Sequence, residues 1–223
     1  MKKYILLGCL IAVVAIGFYI SHRMKISNFN EKLQTIIGRD QEMTETILKA
    51  ETEGSQMTYG ELFEFCDKSV KDRTEMLMEL RGLYPNMESV LRDSLRDTLN
   101  AENKLVRLKS QSYRKFLDVS VGKDSYDETR ESYIHSNEYN RKMYFKMYRN
   151  SLNKIMEDIA DMTDVLHTYR ETYETVTEME KSLENLMKNE NLKFTPIFSK
   201  YQEANQAYVK TSLKYALSAQ SNL

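Results

Sequence analysis

Residues 145–187 read FKMYRNSLNKIMEDIADMTDVLHTYRETYETVTEMEKSLENLM, and this stretch decides the fold. Alternating steps of three and four pick out Phe145, Tyr148, Leu152, Ile155, Ile159, Met162, Leu166, Tyr169, Tyr173, Val176, Glu180, Leu183 and Met187. Every one except Glu180 is apolar or aromatic. A repeat held over that many turns predicts a long helix with one continuous seam to bury. Glu180 is the single polar slot, either a register device or the mark of a frayed end.

The surrounding composition extends the reading to the whole chain. Beyond residue 25 there are five glycines and two prolines, and after Gly122 only Pro196 remains of either type. A chain so poor in turn formers and rich in Glu, Lys, Met and Leu predicts an all-α protein. Its 223 residues suit one body, residues 26–223, behind an N-terminal segment, residues 1–25. The formal charge is −1, but Lys2, Lys3, Arg23 and Lys25 lie in the first segment, and the remainder carries 28 basic against 33 acidic residues. That balance leaves no basic stripe for a nucleic-acid backbone. Cys9 and Cys66 cannot build a disulfide framework in the body.

Tyr4 to Ile20 is an apolar run of 17 residues behind Lys2 and Lys3, near the lower length limit of a membrane span. A cleaved leader would use Ala15-Ile16-Gly17, yet Phe18, Tyr19 and Ile20 continue the apolar run where a cleavage region turns polar. Lipidation at Cys9 would need a very short signal. The reading adopted is an uncleaved signal-anchor, transmembrane from Tyr4 to Ile20. The Lys pair before the apolar core argues for a body outside the cytoplasm, periplasmic or at the cell surface. Arg23, Lys25, Lys32 and Arg39 after the run argue the other way.

Ile26, Phe29, Leu33, Ile36, Met43, Ile47 and Ala50, with Asp40 in a polar slot, predict that the anchor helix continues to the Glu53-Gly54-Ser55-Gln56 stop. A second helix is expected from Thr58 to Leu83, with Tyr59, Phe63, Cys66, Val70, Leu77 and Leu80 inside and Leu62, Phe65, Met76 and Met78 widening that face. Gly82 to Asn86 forms a turn, with Asn86 capping a third helix over 87–117. A break is expected at Val121 to Ser125, where Ser125 and Glu128 fit a capping box. One very long helix then runs to Lys188, with His135 to Glu138 as its weak point. Thr195-Pro196 opens the last helix, with the stripe Ile197, Tyr201, Ala204, Tyr208, Thr211 and Tyr215. The result is an elongated antiparallel bundle or coiled coil. Helix lengths leave the seam after Ile159 to be covered by the last helix, the first helix or another chain.

No motif carries chemistry. Asp164, His167 and Glu171 lie close together on a helix, but the heptad puts them on the outer face, and no second helix supplies the complementary ligands of a di-metal bundle. Cys66 is an inner-face residue with nothing nearby to activate it. No phosphate loop, nucleophile elbow, Cys-x-x-Cys or His-Glu-x-x-His is present. The reading is therefore no enzyme, no cofactor and no metal. It is a membrane-anchored scaffold acting through coiled-coil contacts with itself or a protein partner of an envelope assembly, its interaction seam being Ile159, Met162, Leu166, Tyr169, Tyr173, Val176, Leu183 and Met187. A ligand-sensing bundle outside the cytoplasm is the alternative, and a metal-dependent bundle enzyme stands behind it. Burial of this seam has a direct check. Leu166→Asp is expected to lower stability by several kcal/mol or more, and an unchanged melting temperature would refute it.

Overall fold

The computed structural model describes residues 2–52 and 57–223, with side chains described for 25–50, 57–85 and 87–223. Among the described residues every regular element is helical: α1 (Lys2–Thr52), α2 (Tyr59–Arg81), a one-turn 3-10 helix (Tyr84–Asn86), α3 (Ser89–Ile134), α4 (Arg141–Asn189), α5 (Ile197–Lys200) and α6 (Gln202–Ser221). The backbone of α1 continues from the apolar run into the body without interruption. Among the described residues no helix is long and apolar enough to cross a membrane. The side chains from Tyr4 to Ile20 lie outside those residues, as do Cys9 and the stop at Glu53 to Gln56.

The helices alternate in direction and build a rod that thins along its length. At one end a core cluster joins Leu33 and Ile37 of α1, Met76 and Leu80 of α2, Leu95 and Leu99 of α3, and Leu183 and Met187 of α4. The middle cluster joins Ile47, Cys66, Leu105, Tyr113, Tyr169, Tyr173 and Phe198. The third contains only α3, α4 and α6 side chains together with Leu223, among them Val119, Tyr126, Ile155, Met162, Leu166 and Ala216. There the Tyr126 hydroxyl donates to the Leu223 carbonyl at 2.6 Å. Farther out α3 and α4 continue as a pair, through Tyr133 against Tyr148 and Phe145.

Local chemistry explains most boundaries. Thr58 and Glu61 form a reciprocal capping box at the start of α2. Glu88 caps α3 by accepting from the Leu91 N–H at 3.0 Å, the role expected of Asn86. α4 ends where Asn191 takes φ 56° and the Leu192 N–H donates to the Met187 carbonyl at 2.9 Å, a left-handed stop that asparagine tolerates.

The expected break at Val121 to Ser125 is absent. α3 runs through it, and the capping pattern at Ser125 and Glu128 goes unused. The chain turns at the polar stretch His135 to Asn140, where the Asn137 side chain accepts from the Asn140 N–H at 3.0 Å. The weak point expected at His135 to Glu138 is thus the turn itself, and two helices of 46 and 49 residues take the place of the shorter and the very long one expected, each about 70 Å long at 1.5 Å per residue. The reason is packing: Val119 and Tyr126, on either side of Gly122, are almost fully buried against α4. Their burial, worth roughly 1.5–3 kcal/mol per large apolar side chain, outweighs the 0.5–1 kcal/mol or so that one helical glycine costs.

Burial also corrects two stripes. Met78 is 62% exposed, while Ser69 and Arg73 are buried on α2. In the last helix the buried positions are Asn205, Val209, Ser212, Ala216 and Ala219, one residue out of phase with the tyrosine stripe. The chain breaks at Tyr201 between α5 and α6, and this resets the helical phase. Tyr201, Tyr208 and Tyr215 consequently lie half-buried on the flank.

A Cβ at Gly122 would meet Ile155 and Asp158 at 3.5–3.6 Å, ordinary contact distance. Gly122→Ala is accordingly expected to raise stability by about 0.5–1 kcal/mol in thermal unfolding. A loss of stability would count against the continuous α3.

Candidate functional site

Between the first and second core clusters lies a layer of charge. Arg73 of α2 is 1% exposed. Its Nη2 donates to Glu102 of α3 at 2.6 Å and lies 3.0–3.1 Å from the Asp40 carboxylate of α1, while Nη1 donates to Thr44 at 3.0 Å. Each residue sits on its helix's apolar stripe: Arg73 falls seven residues from both Cys66 and Leu80, and Glu102 lies between Leu99 and Leu105. The surrounding apolar contacts therefore carry these groups inside.

Glu180 of α4 completes the layer. It is buried and receives the backbone N–H groups of Ile197 at 2.9 Å and of Phe198 and Ser199 at 3.3 Å. It thus caps α5 from another helix, the role expected of Thr195; Pro196 occupies the N-cap position. A carboxylate accepting from a helix N-terminus is favourable. Burial nevertheless pushes the Glu180 carboxyl up to about 7, against the three N–H donors and with nearby Asp40 adding to the rise. Glu102 is driven well above the usual carboxylate range, first by burial and then by Asp40, with Arg73 opposing.

A second polar group lies one level farther along. Lys109 of α3 is 1% exposed. It donates to the Tyr169 hydroxyl at 3.1 Å and to Asn205 Oδ1 at 3.2 Å, and Tyr169 donates to the same oxygen at 2.5 Å. Ser112 and Tyr208 share a hydrogen bond of 2.6 Å, and the Tyr173 hydroxyl donates to the Phe198 carbonyl. A groove of about 330 Å³ runs above this group between α4 and α6, with Arg170, Glu174, Gln206 and Lys210 at its edges.

All eight seam residues from Ile159 to Met187 are buried, none more than 5% exposed. Their cover comes from within the chain, from α1, α3, α5 and α6. The expectation that α3 matches only the first half of the long helix is corrected: α3 follows α4 along nearly its whole length. Asp164, His167 and Glu171 are exposed, and among the described residues no group of three or more His, Cys, Asp or Glu side chains could hold a metal ion.

The other surface of note is the free end of the α3–α4 hairpin. Of the eleven exposed large apolar side chains among the described residues, five lie there, Ile134, Tyr139, Met143, Phe145 and Met147, and Val121 and Met156 flank the third cluster just before it. Comparison with protein-family models, curated proteins and solved structures gives no match.

The charge layer sets a pH dependence. A carboxyl whose folded value lies above its unfolded one holds its proton longer in the folded state, so stability falls as pH rises between the two values. For Glu180 that window runs from about 4.5 to about 7, and Glu102 acts in the same direction. The melting temperature is expected to drop from pH 5 to pH 7.5, and Glu180→Gln should flatten the slope. An equal slope in that variant would remove Glu180 as its source.

Proposed function

We propose that this chain is a membrane-anchored helical scaffold, held at residues 4–20 and bearing a rigid body that makes protein contacts at the free end of the α3–α4 hairpin. The carrying observation is the unbroken backbone of α1 from Lys2 to Thr52. It joins the apolar run to the charge layer with no linker, so the body is fixed to whatever holds the run. The apolar run behind Lys2 and Lys3 supports a span with the body outside the cytoplasm. With the long seam occupied internally, the concentration of exposed apolar side chains at the hairpin end supports that end as the contact surface.

A second reading, a ligand-sensing bundle, draws on the groove between α4 and α6. Tyr169, Tyr173 and Asn205 line it beside exposed Arg170 and Lys210, a mixture of apolar wall and few polar groups that small-molecule sites share.

The anchored reading is tested by fractionation. The full chain is expected to remain with membranes through a carbonate wash, and a chain lacking residues 2–24 to be released. A reporter fused after Leu223 should be active only outside the cytoplasm. Release of the full chain, or a reporter active inside, would overturn the anchor or its orientation respectively.

A further inference from the structure

The last three turns of α3 and the first four of α4 carry opposite net charge. Asp124, Asp127, Glu128 and Glu131 outweigh Arg130 and leave this end of α3 acidic, and Arg141, Lys142, Lys146, Arg149 and Lys154 make α4 basic without one acidic residue from 139 to 154. Among the described residues no ion pair crosses between the two helices here; Lys123 pairs with Asp127 and Glu131 with His135, each within its own helix. The interior contacts are Tyr126 with Tyr148, Tyr133 with Phe145, and Thr129 with Ser151. That pairing sets the levels along the rod: Lys146 lies level with Glu131, Arg149 with Glu128, Met143 with Ile134, and Met156 with Val121.

From this we infer that the hairpin end binds a second copy of the chain, side by side, so that two hairpins complete an up-down-up-down four-helix bundle. The inference rests on the anchored reading above, which places both copies in one membrane with their hairpins pointing the same way. In a twofold arrangement about the long axis each α4 lies against the partner's α3 at unchanged levels. Lys146 and Arg149 then meet Glu131 and Glu128 of the other copy, and Met156, one heptad from Arg149 on the same face of α4, and Ile134, beside Glu131 on α3, are covered with them.

Charge decides between this occupant and an anionic lipid surface. Residues 124–154 contain six basic and five acidic residues, His135 aside, so the end as a whole has little attraction for anionic lipid, whereas segregation by helix is what a charge-matched copy needs. The face is short. It extends about 20 Å along two helices about 10 Å wide, roughly 400 Å² per copy, below the size of most stable interfaces. Anchoring both copies in one membrane offsets this by raising their effective concentration.

The test uses the full chain in membranes, with Cys9→Ser and Tyr139→Cys and a short bis-maleimide cross-linker. Tyr139 is 93% exposed at the turn. The parent is expected to cross-link to itself. Reversing the α4 charges (Lys142→Glu, Lys146→Glu, Arg149→Glu) or the α3 charges (Asp124→Lys, Glu128→Lys, Glu131→Lys) should cut the yield at least tenfold, and co-expressing the two variants should restore it as a mixed dimer. Circular dichroism of each purified variant reports its folding, and Ile134→Ser with Met156→Ser serves in place of a charge variant that fails to fold. No self-cross-link in the parent, or a yield indifferent to these changes, overturns the inference. Cross-linking only to a different protein overturns it while leaving the scaffold reading intact. Loss of membrane retention in the fractionation removes the scaffold reading itself.

Discussion

The structure depends on enclosing the Arg73 guanidinium. A buried cation is costly unless opposite charge and hydrogen bonds surround it. Here the partners come from two other helices, Asp40 and Thr44 from α1 and Glu102 from α3. Hydrophobic contacts alone would let helices slide by a turn at modest cost, because one leucine resembles the next. An arginine with partners on both neighbours has one register in which its two terminal nitrogens are paired. The layer therefore keeps the apolar clusters on either side aligned, as polar positions in helical seams are known to do.

Glu180 extends the same logic to the C-terminal segment. α5 has four residues and little cohesion of its own. It is held by a carboxylate on the helix before it and by Ile197 and Phe198 entering the core. The break at Tyr201 follows, and α6 then lies along α4 and α3 as far as Tyr126. The rod is thickest where α1 and α2 take part and reduces to two helices at its far end. Cohesion is concentrated at one end and exposed apolar surface at the other.

Much of this was legible in the residues. The seam from Tyr148 to Met187 showed the helix and its buried face, and Asp40 and Glu180 stood out as polar slots in apolar stripes. Arg73, Glu102, Lys109 and Asn205 carried the same signal at the same spacing. Each taken alone reads as solvated, as a long polar side chain on an amphipathic helix usually is, and only the conjunction of opposite charges on several stripes points to a buried layer. The polar stretch His135 to Glu138 marks the turn between α3 and α4, but Gly122, Ser125 and Glu128 satisfy local rules for a second break that does not form. The burial of Val119 and Tyr126 overrides those rules, and tertiary contacts of that kind leave no local trace.

The unbroken α1 also acts as a screw gauge. Each helical residue contributes about 100° of rotation and 1.5 Å of rise, and no flexible joint lies between the apolar run and Asp40. The number of residues between them therefore sets the compass bearing of the whole body, including which way the hairpin's acidic and basic flanks point. One residue inserted near Ile26 would turn the far end by more than a quarter circle while leaving every contact within the body untouched.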